Sequence, residues 1–220
     1  TKAIIVVHLG GNSADMDKII RISKKFKIPI IEDAAQAPGC KYKNKYLGPI
    51  GDIGILSLTE TKNITSGEGG LLLTNNANYA KRSRLVRNHG EGVILDNLEK
   101  KDYQNIIGMN YRLTEIQAVI AIEQFSNLKK VNTLRKKNSD YLLRGLKQYN
   151  KILIPQKIEK KTEYYPYILK FLWKGNHIVN KKNLLKELNS IGIPFTGGYG
   201  RMMHENPIFS KLIEFNFNYE

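Results

Sequence analysis

The segment AIIVVHLGGNSADMDKIIRISKKFKIPIIED, residues 3–33, contains two short apolar runs separated by a helical pattern. The apolar runs, at residues 3–9 and 28–33, have the length of buried strands. Between them, residues 15–27 begin with acidic side chains and then repeat apolar ones at the spacing of a helix face. A strand, a helix and a second strand in this order predict a crossover unit of a parallel sheet. The segment therefore predicts an α/β fold.

Two further apolar runs follow, DIGILSL at residues 52–58 and GGLLLTN at residues 69–75. The loop between them contains Lys62 and ends in glycines, which allow tight turns and close approach of a ligand to the backbone. Ligands of parallel sheets bind beyond the carboxyl ends of the strands, where we expect Asp33 and Ser57. On this loop alone, the simpler interpretation of Lys62 is a solvated surface residue, since the chain has 35 lysines and arginines.

The middle of the chain reads as helices joined by one long connection. A helix is predicted over Ala77–Arg87, and the polar, irregular segment 90–110 is typical of a functional or mobile connection. Thr114 begins a capping-box pattern. From there the helical period continues to about Tyr149, with a possible break near residue 126, and indicates a bridge between domains.

A second, smaller domain is predicted beyond this bridge. The segment TEYYPYILKFLW, residues 162–173, reads as a strand, and NKKNLLKELNSIG, residues 180–192, reads as an amphipathic helix that ends at a glycine. We predict that residues 1–128 belong to the large domain. Residues 129–220 are predicted to form the linking helix and part of a smaller α+β domain.

Composition narrows the class of protein. The formal net charge of +15 invites a nucleic-acid interpretation, but the basic residues are spread along the chain and no recognition motif concentrates them. We therefore expect no nucleic-acid partner. No apolar run approaches the length of a membrane span, so no membrane association is expected. The single cysteine, Cys40, forms no intrachain disulfide and offers no metal site, which agrees with a cytoplasmic enzyme.

The predicted strand ends carry the groups that a pyridoxal phosphate (PLP) site requires. The amine of Lys62 would form a Schiff base with the cofactor aldehyde. The carboxylate of Asp33 would keep the pyridine nitrogen protonated, so that the ring can accept electrons from the substrate carbon. The hydroxyl of Ser57 would hold a phosphate oxygen.

Three runs make the pattern specific, and they are IEDAAQAPGCKYKNKYLGPIGDIGILSLTETKNITSGEGGLLLTN at 31–75, RNHG at 87–90 and GMNYRLTEIQA at 108–118. They strongly resemble the sugar aminotransferases of the DegT/DnrJ/StrS family. This resemblance outweighs the surface interpretation of the lysine. It implies the aspartate-aminotransferase type I fold, in which a PLP-binding large domain with a mostly parallel sheet precedes a smaller α+β domain.

The resemblance also implies roles for individual residues. Lys62 would carry the cofactor as an internal aldimine, and Asp33 would pair with its pyridine nitrogen. Gln36 would lie near the 3′-oxygen of the ring, and Ser57 would bind the phosphate. Asn110 would reach the phosphate from the neighbouring subunit, so the family's active sites are shared within a homodimer.

Substrate contacts are implied less specifically. Tyr111 and Arg112 accompany the asparagine of the NYR motif, and Arg112 fits a structural salt bridge or helix cap as well as a substrate contact. His89 would line the sugar pocket or close the end of a helix as a cation. His204 resembles a late histidine near the substrate entrance. His8 is expected to be structural.

The implied reaction is a ping-pong exchange in which glutamate donates its amine and the keto sugar of a nucleotide diphosphate accepts it. Lys62 would first hold the cofactor and then move the proton as general base and acid. Such a reaction would serve amino-sugar and surface-glycan biosynthesis. Relatives that dehydrate their substrate carry a histidine in place of Lys62, which favours amine transfer here. The alternative is a non-catalytic or regulatory relative with the same fold.

The resemblance starts within the family's large domain and stops before the small domain is complete. We therefore expect the chain to be a fragment that lacks the family's upstream phosphate turn and the aromatic that stacks on the cofactor. The functional prediction accordingly concerns the parent protein.

Overall fold

The computed structural model describes residues 1–90, 106–175, 180–198 and 202–212. The strands of this part are β1 Ile4–Val7, β2 Ile30–Asp33, β3 Lys41–Tyr42, β4 Lys45–Tyr46, β5 Ile53–Ser57, β6 Gly70–Leu73, β7 Leu153–Pro155, β8 Thr162–Glu163 and β9 Phe171–Trp173. Its α-helices are α1 Met16–Phe26, α2 Ala77–Arg87, α3 Glu115–Ser126, α4 Leu128–Gly145, α5 Lys181–Ser190 and α6 Pro207–Leu212.

The chain divides into two compact units. The first contains Thr1–Gln148 and Pro155–Phe171, and the second contains Tyr149–Ile154 and Leu172–Glu220. The predicted boundary after residue 128 concerns the domains of the parent protein and stays a prediction.

The main sheet of the first unit has the strand order β1-β2-β5-β6. The first three strands are parallel, and their register places Val7 beside Asp33 and Asp33 beside Ile55. Strand β6 runs antiparallel to β5, with Gly70 opposite Ser57. The predicted α/β class and the mostly parallel sheet are thereby confirmed.

The two faces of this sheet have different surroundings. One face is buried with helix α1, and its core includes Val6, Met16 and Ile30, none of which is more than 5% exposed. The other face presents apolar side chains to solvent, among them Ile5 at 69% and Val7 at 49% exposure. Parallel strands are normally covered on both faces. Because directly paired residues share a face, Asp33 lies on the exposed face with Val7.

Helix α1 connects β1 to β2 as the sequence predicts. The Asp15 carboxylate accepts a hydrogen bond from the Lys18 backbone N–H and caps the first turn. Lys27 ends the helix in the left-handed conformation, with φ of 54°.

A small three-stranded sheet, with the order β4-β3-β8, was not anticipated from the sequence. Strands β3 and β4 form a tight hairpin in which Lys43 and Asn44 both have positive φ. Strand β8 joins from 120 positions further along the chain, pairing Thr162 with Tyr42. Two-residue strands give almost no periodic signal, so pattern analysis does not detect them.

The single strand predicted over residues 162–173 is wrong. The structure has β8 at one end and β9 at the other, with no strand assigned between them. Pro166 has no N–H to donate to a sheet ladder. The Tyr167 N–H instead donates to the Gly10 carbonyl at 3.2 Å, which directs this backbone away from a ladder.

Helices α3 and α4 confirm the predicted capping box and break. The Thr114 side chain accepts a hydrogen bond from the Gln117 N–H, and the Gln117 side chain accepts one from the Thr114 N–H. Helix α3 ends at Ser126 and α4 begins at Leu128. No helix in the described ranges is long and apolar enough to cross a membrane.

The second unit contains helix α5, which the sequence also predicts. Its N-cap is Asn180, whose side chain accepts from the Lys182 N–H at 2.8 Å. Gly192 follows the helix with φ of 81°, a conformation that favours glycine.

Candidate active site

Asp33 and Ser57 lie at the same edge of the main sheet. Asp33 is the last residue of β2 and is paired with Ile55, so Ser57 follows two residues further along on the same face of β5. One carboxylate oxygen of Asp33 accepts a hydrogen bond from the Ala35 N–H at 3.1 Å. The Ser57 hydroxyl donates to Thr59 Oγ1 at 3.3 Å. The register thus places an acid and a hydroxyl at the carboxyl ends of neighbouring parallel strands, as predicted.

A buried histidine–carboxylate hydrogen bond lies behind this edge. His8 Nε2 is 3.0 Å from Glu32 Oε2, and neither side chain is exposed. The Glu32 carboxylate also accepts from the backbone N–H groups of Gly48 and Gly51. Burial alone would raise the pKa of Glu32, but its bonds to His8 and to these two amides lower it overall.

The side chain of Gln36 binds the turn that follows β1. The Gly10 N–H donates to Gln36 Oε1 at 2.8 Å. Gly10 has φ of +72°, and a Cβ there would lie 2.9 Å from Cε of Lys170. The positive φ therefore favours glycine at this turn, whereas the contact with the flexible end of the Lys170 side chain could be relieved by a small shift.

Lys62 lies in a loop that hydrogen bonds close at its base. The Leu58 N–H donates to the Gly69 carbonyl, and the Ser66 N–H donates to the Leu58 carbonyl. The Lys62 side chain is half-buried. Its Nζ lies 4.6 Å from the centroid of the Tyr167 ring, within the range of a cation–π interaction.

A buried pair of amides fixes the loop to helix α4. Asn63 Nδ2 donates to Asn132 Oδ1 at 3.0 Å, and Asn132 Nδ2 donates to the Pro38 carbonyl at 2.9 Å. Both asparagines are at most 6% exposed. These bonds connect the residue after Lys62 to the turn that follows Asp33 and Gln36.

The NYR segment pairs with the end of helix α2. Asn88 and Asn110 form an antiparallel bridge, and the His89 N–H donates to the Met109 carbonyl at 3.1 Å. The Arg112 guanidinium donates to Asn88 Oδ1. His89, Asn110, Tyr111 and Arg112 are therefore neighbours, and all four are exposed.

A cavity of about 1470 Å³ lies in the first unit between β5, β6 and α2. This volume exceeds that of an ordinary small-molecule pocket, so the cavity is a broad cleft. Residues that line it include Ser57, Tyr111, Arg82, Arg84, Arg87 and Arg112. Four guanidinium groups make its wall cationic, which suits a phosphate-bearing ligand.

Two of the sequence predictions concern residues outside this part of the first unit. His204 belongs to the second unit, where it lies in a short 3-10 helix, Met203–Glu205, and is exposed. Most of the long connection predicted at 90–110 lies outside the described residues.

Three residues near these groups, Glu32, Asn132 and Tyr167, are not predicted from the sequence. Glu32 had a detectable signal, because a charged residue within a buried strand must find partners. Asn132 and Tyr167 had none, because each meets the Lys62 loop from a position far along the chain.

Comparison with known proteins supplies an independent observation. The model of the DegT/DnrJ/EryC1/StrS aminotransferase family matches residues 1–217. The chain is 32% identical over 216 residues to the pleiotropic regulatory protein of Geobacillus stearothermophilus, covering 96% of the chain and 54% of that protein. It is 36% identical over 155 residues to GDP-perosamine synthase of Escherichia coli O157:H7, covering 67% of the chain and 41% of the synthase.

Among solved structures, the chain is similar to the E. coli GDP-4-keto-6-deoxy-D-mannose-3-dehydratase with bound hydrated PLP. The TM-score is 0.78 at 27% identity, covering 87% of the chain and 52% of the dehydratase. The chain spans about half the length of the curated relatives that match most of it.

Proposed function

Because the chain belongs to the DegT/DnrJ/EryC1/StrS aminotransferase family, we propose that its parent protein is a PLP-dependent sugar aminotransferase. The chain has the fold of the PLP-dependent aminotransferases. In the proposed reaction an amino group moves from glutamate to the keto sugar of a nucleotide-diphosphate sugar. The observation that carries this proposal is the arrangement of Asp33 and Ser57 at one sheet edge, with Lys62 in the loop that follows Ser57.

The chemistry of these side chains fits PLP. The cofactor has an aldehyde, a basic ring nitrogen and a phosphate, which call for an amine, a carboxylate and hydrogen-bond donors respectively. Lys62 supplies the amine and Asp33 the carboxylate. Ser57 supplies a hydroxyl next to Gly69 and Gly70, where the backbone is free of Cβ atoms.

Each residue then has a definite task. PLP, when bound, supplies an electron sink for the substrate carbon. Asp33 holds a proton on the ring nitrogen through a charge-assisted hydrogen bond. Gln36, whose Oε1 accepts from the Gly10 N–H at 2.8 Å, would have its amide nitrogen available to the ring oxygen. Lys62 would hold the cofactor through its amine, and the same amine, when free, would accept the proton from the substrate carbon and return it as general base and acid.

The substrates would bind on the cationic side of the site. The arginine-lined cleft that includes Ser57 attracts the diphosphate of a nucleotide sugar and the carboxylates of glutamate. Tyr111 and Arg112 line the same cleft, and His89 adjoins them. We assign these three residues to substrate contacts, and a substrate contact of His204 stays a prediction. GDP-perosamine synthase and the dehydratase are relatives whose names denote GDP-linked sugars.

We also propose that two copies of the protein share their active sites. Asn110 is exposed, where it is available to a neighbouring subunit. Large apolar side chains are exposed around it and along α3, and they are Ile107, Met109, Ile116, Val119, Ile122 and Phe125. Apolar patches of this extent mark interfaces in soluble proteins. The predicted cytoplasmic location stays a prediction.

A regulatory, non-catalytic role is the second candidate. It is favoured by the similarity to the pleiotropic regulatory protein, which extends over 96% of the chain. The presence of Lys62, Asp33 and Ser57 together favours catalysis, since a protein without the reaction does not require the lysine.

The test is to incubate the full-length protein with PLP, reduce it with borohydride and map the modified lysine by mass spectrometry. We expect an absorbance band that bleaches when glutamate is added, release of 2-oxoglutarate, and the reduced cofactor on Lys62. The Lys62→Arg variant should show neither band nor label. A label on another lysine, or no band in the full-length protein, would overturn the proposal.

A further inference from the structure

One aromatic side chain contacts two consecutive residues of the lysine loop. The Tyr167 ring lies under the Lys62 ammonium, with 4.6 Å between Nζ and the ring centroid. The Tyr167 hydroxyl is 3.1 Å from Thr61 Oγ1. Both contacts join groups about 105 positions apart in the chain, so they are products of tertiary structure.

The backbone of Tyr167 is held on two sides. Its N–H donates to the Gly10 carbonyl at 3.2 Å. The Arg135 guanidinium donates to the carbonyl of Tyr167 and, through Nε at 3.0 Å, to the carbonyl of Pro166. Pro166 itself is buried and lacks an N–H that would need a partner. The ring therefore projects from a fixed piece of backbone.

The backbone of Tyr167 also connects two of the proposed cofactor residues, Gln36 and Lys62. Gly10 accepts from the Tyr167 N–H through its carbonyl and donates through its own N–H to Gln36. One continuous path of contacts thus runs from Gln36 through Gly10 and Tyr167 to Lys62. The turn at Gly10 therefore fixes both the side chain of Gln36 and, through Tyr167, the position of the Lys62 amine.

We propose that Tyr167 is a positioning residue for Lys62, an inference that rests on the proposed function. A free lysine side chain samples many rotamers, and ordering it costs entropy at the moment of reaction. The face of the Tyr167 ring attracts the ammonium group of Lys62 and so orders the lysine side chain before the reaction. Lys62 is thereby held near the sheet edge before the cofactor arrives.

The same contact withholds the amine from other reagents. An ammonium held against a ring is less available to a small acylating reagent that has no binding site of its own. Loss of the ring should therefore have two opposite effects. Lys62 becomes more reactive toward the small reagent and less reactive toward PLP.

The test compares Tyr167→Leu, which removes the ring, with Tyr167→Phe, which keeps the ring and removes the hydroxyl. In the full-length protein without cofactor, acetic anhydride labelling of each lysine is followed by mass spectrometry. We expect Lys62 to be labelled about two- to tenfold faster in Tyr167→Leu, the range that a partly exposed cation–π contact implies, and at the wild-type rate in Tyr167→Phe. Thr61→Val, which also loses the hydroxyl contact, should resemble Tyr167→Phe.

Lys170 is the internal control, because it lies in the same segment and its Nζ donates to the Leu9 carbonyl at 2.9 Å. Its labelling rate should not change when the segment stays folded. If Lys170 is labelled faster in Tyr167→Leu, the comparison is made with Tyr167→Met, which keeps apolar volume without an aromatic face.

The second readout is the rate of appearance of the PLP absorbance band. We expect it to fall at least about threefold in Tyr167→Leu and to be restored in Tyr167→Phe. Unchanged Lys62 labelling in Tyr167→Leu, or a Tyr167→Phe variant that behaves like Tyr167→Leu, would overturn the role of the ring. Failure of the wild-type protein to bind PLP would instead overturn the proposed function, and the labelling comparison would still decide whether Tyr167 holds Lys62.

Discussion

His8 donates a hydrogen bond from Nε2 to the Glu32 carboxylate at 3.0 Å in the interior of the first unit. The direction follows from the other ring nitrogen, because His8 Nδ1 accepts from the Ala14 N–H at 3.3 Å and leaves the proton on Nε2. Glu32 immediately precedes Asp33, and its carboxylate also holds the loop that contains Gly48 and Gly51. The pair therefore supports the backbone that presents the proposed cofactor carboxylate.

Substituting Glu32 by glutamine should destabilise the protein. In glutamine an NH₂ group replaces one of the two carboxylate oxygens, and both of these oxygens accept hydrogen bonds from N–H groups. At least one buried N–H would therefore lose its acceptor, which costs about 1–3 kcal/mol of unfolding free energy. Urea denaturation at neutral pH measures the loss. Glu60→Gln, at an exposed carboxylate, is the control and should change stability by less than about 0.5 kcal/mol.

The same variant should change the acid sensitivity of the fold. The pKa of Glu32 is lowered in the folded protein from its ordinary value of 4.5, so its stabilising contribution is complete above that value and is lost as the pH falls below it. The stability difference between wild type and Glu32→Gln should therefore shrink progressively as the pH falls below about 4.5. A difference that stays constant over this range would show that the carboxylate is not stabilised in its charged form.

The amide pair beneath the lysine loop should also contribute to stability. Asn132→Ala removes the partner of Asn63 and of the Pro38 carbonyl, leaving buried polar groups unsatisfied at a cost of about 1–3 kcal/mol. Asn138→Ala, on the same helix but exposed, is the matched control. Equal unfolding midpoints for the two variants would contradict this prediction.

Asp33→Asn should impair catalysis more than binding of the cofactor phosphate. Without the carboxylate, the proton on the ring nitrogen loses its ionic partner, and we expect kcat to fall at least about a hundredfold. Steady-state kinetics at saturating PLP measures the effect, with Glu60→Gln again as the control. A loss confined to KM would place Asp33 with the substrate and not with the cofactor.

Shared active sites predict complementation between two inactive variants. If Lys62 of one subunit works with Asn110 of its neighbour, a mixed dimer of Lys62→Ala and Asn110→Ala contains one site that is intact and one that lacks both groups. Unfolding the two variants together and refolding them should restore about a quarter of the wild-type activity, since half of the dimers are mixed. No recovery, with dimers present by ultracentrifugation, would place both residues of a site in one subunit.

Cys40 should be inert in the folded protein. Burial raises the pKa of its thiol to about 11, and the sulfur exchanges hydrogen bonds with the backbone of Tyr165. Iodoacetamide at mildly alkaline pH should label Cys40 at least about a hundredfold more slowly in the native protein than in urea. Rapid labelling of the native protein would show that this interior opens readily.

Local pattern predicted most of the main sheet. Strands β1, β2, β5 and β6 are long enough to show apolar runs, and α2 and the Thr114 capping box have sequence signals of their own. The edge position of Asp33 and Ser57 follows from these strands alone, because parallel pairing brings their carboxyl ends together.

The remainder depends on contacts between distant residues. Strands β3 and β8 have two residues each and pair across about 120 positions, so no local period announces them. The segment around Tyr167 resembles a strand in composition, yet its hydrogen bonds go to Gly10 and Arg135. Its contact with Lys62 depends on tertiary packing, which a single sequence does not encode in any local pattern.

The long separation in sequence between contacting residues, as between Tyr42 and Thr162 or between Lys62 and Tyr167, has a consequence for biosynthesis. At translation rates of about 5–20 residues per second, roughly 5–20 s separate the synthesis of Lys62 from that of Tyr167. During that interval the nascent chain already contains the strands of the main sheet but lacks β8 and the ring that meets the lysine. Long-range pairings of this kind form slowly. Lys62 is therefore synthesised before Tyr167 is present, and its contact with the Tyr167 ring forms only in later, long-range folding.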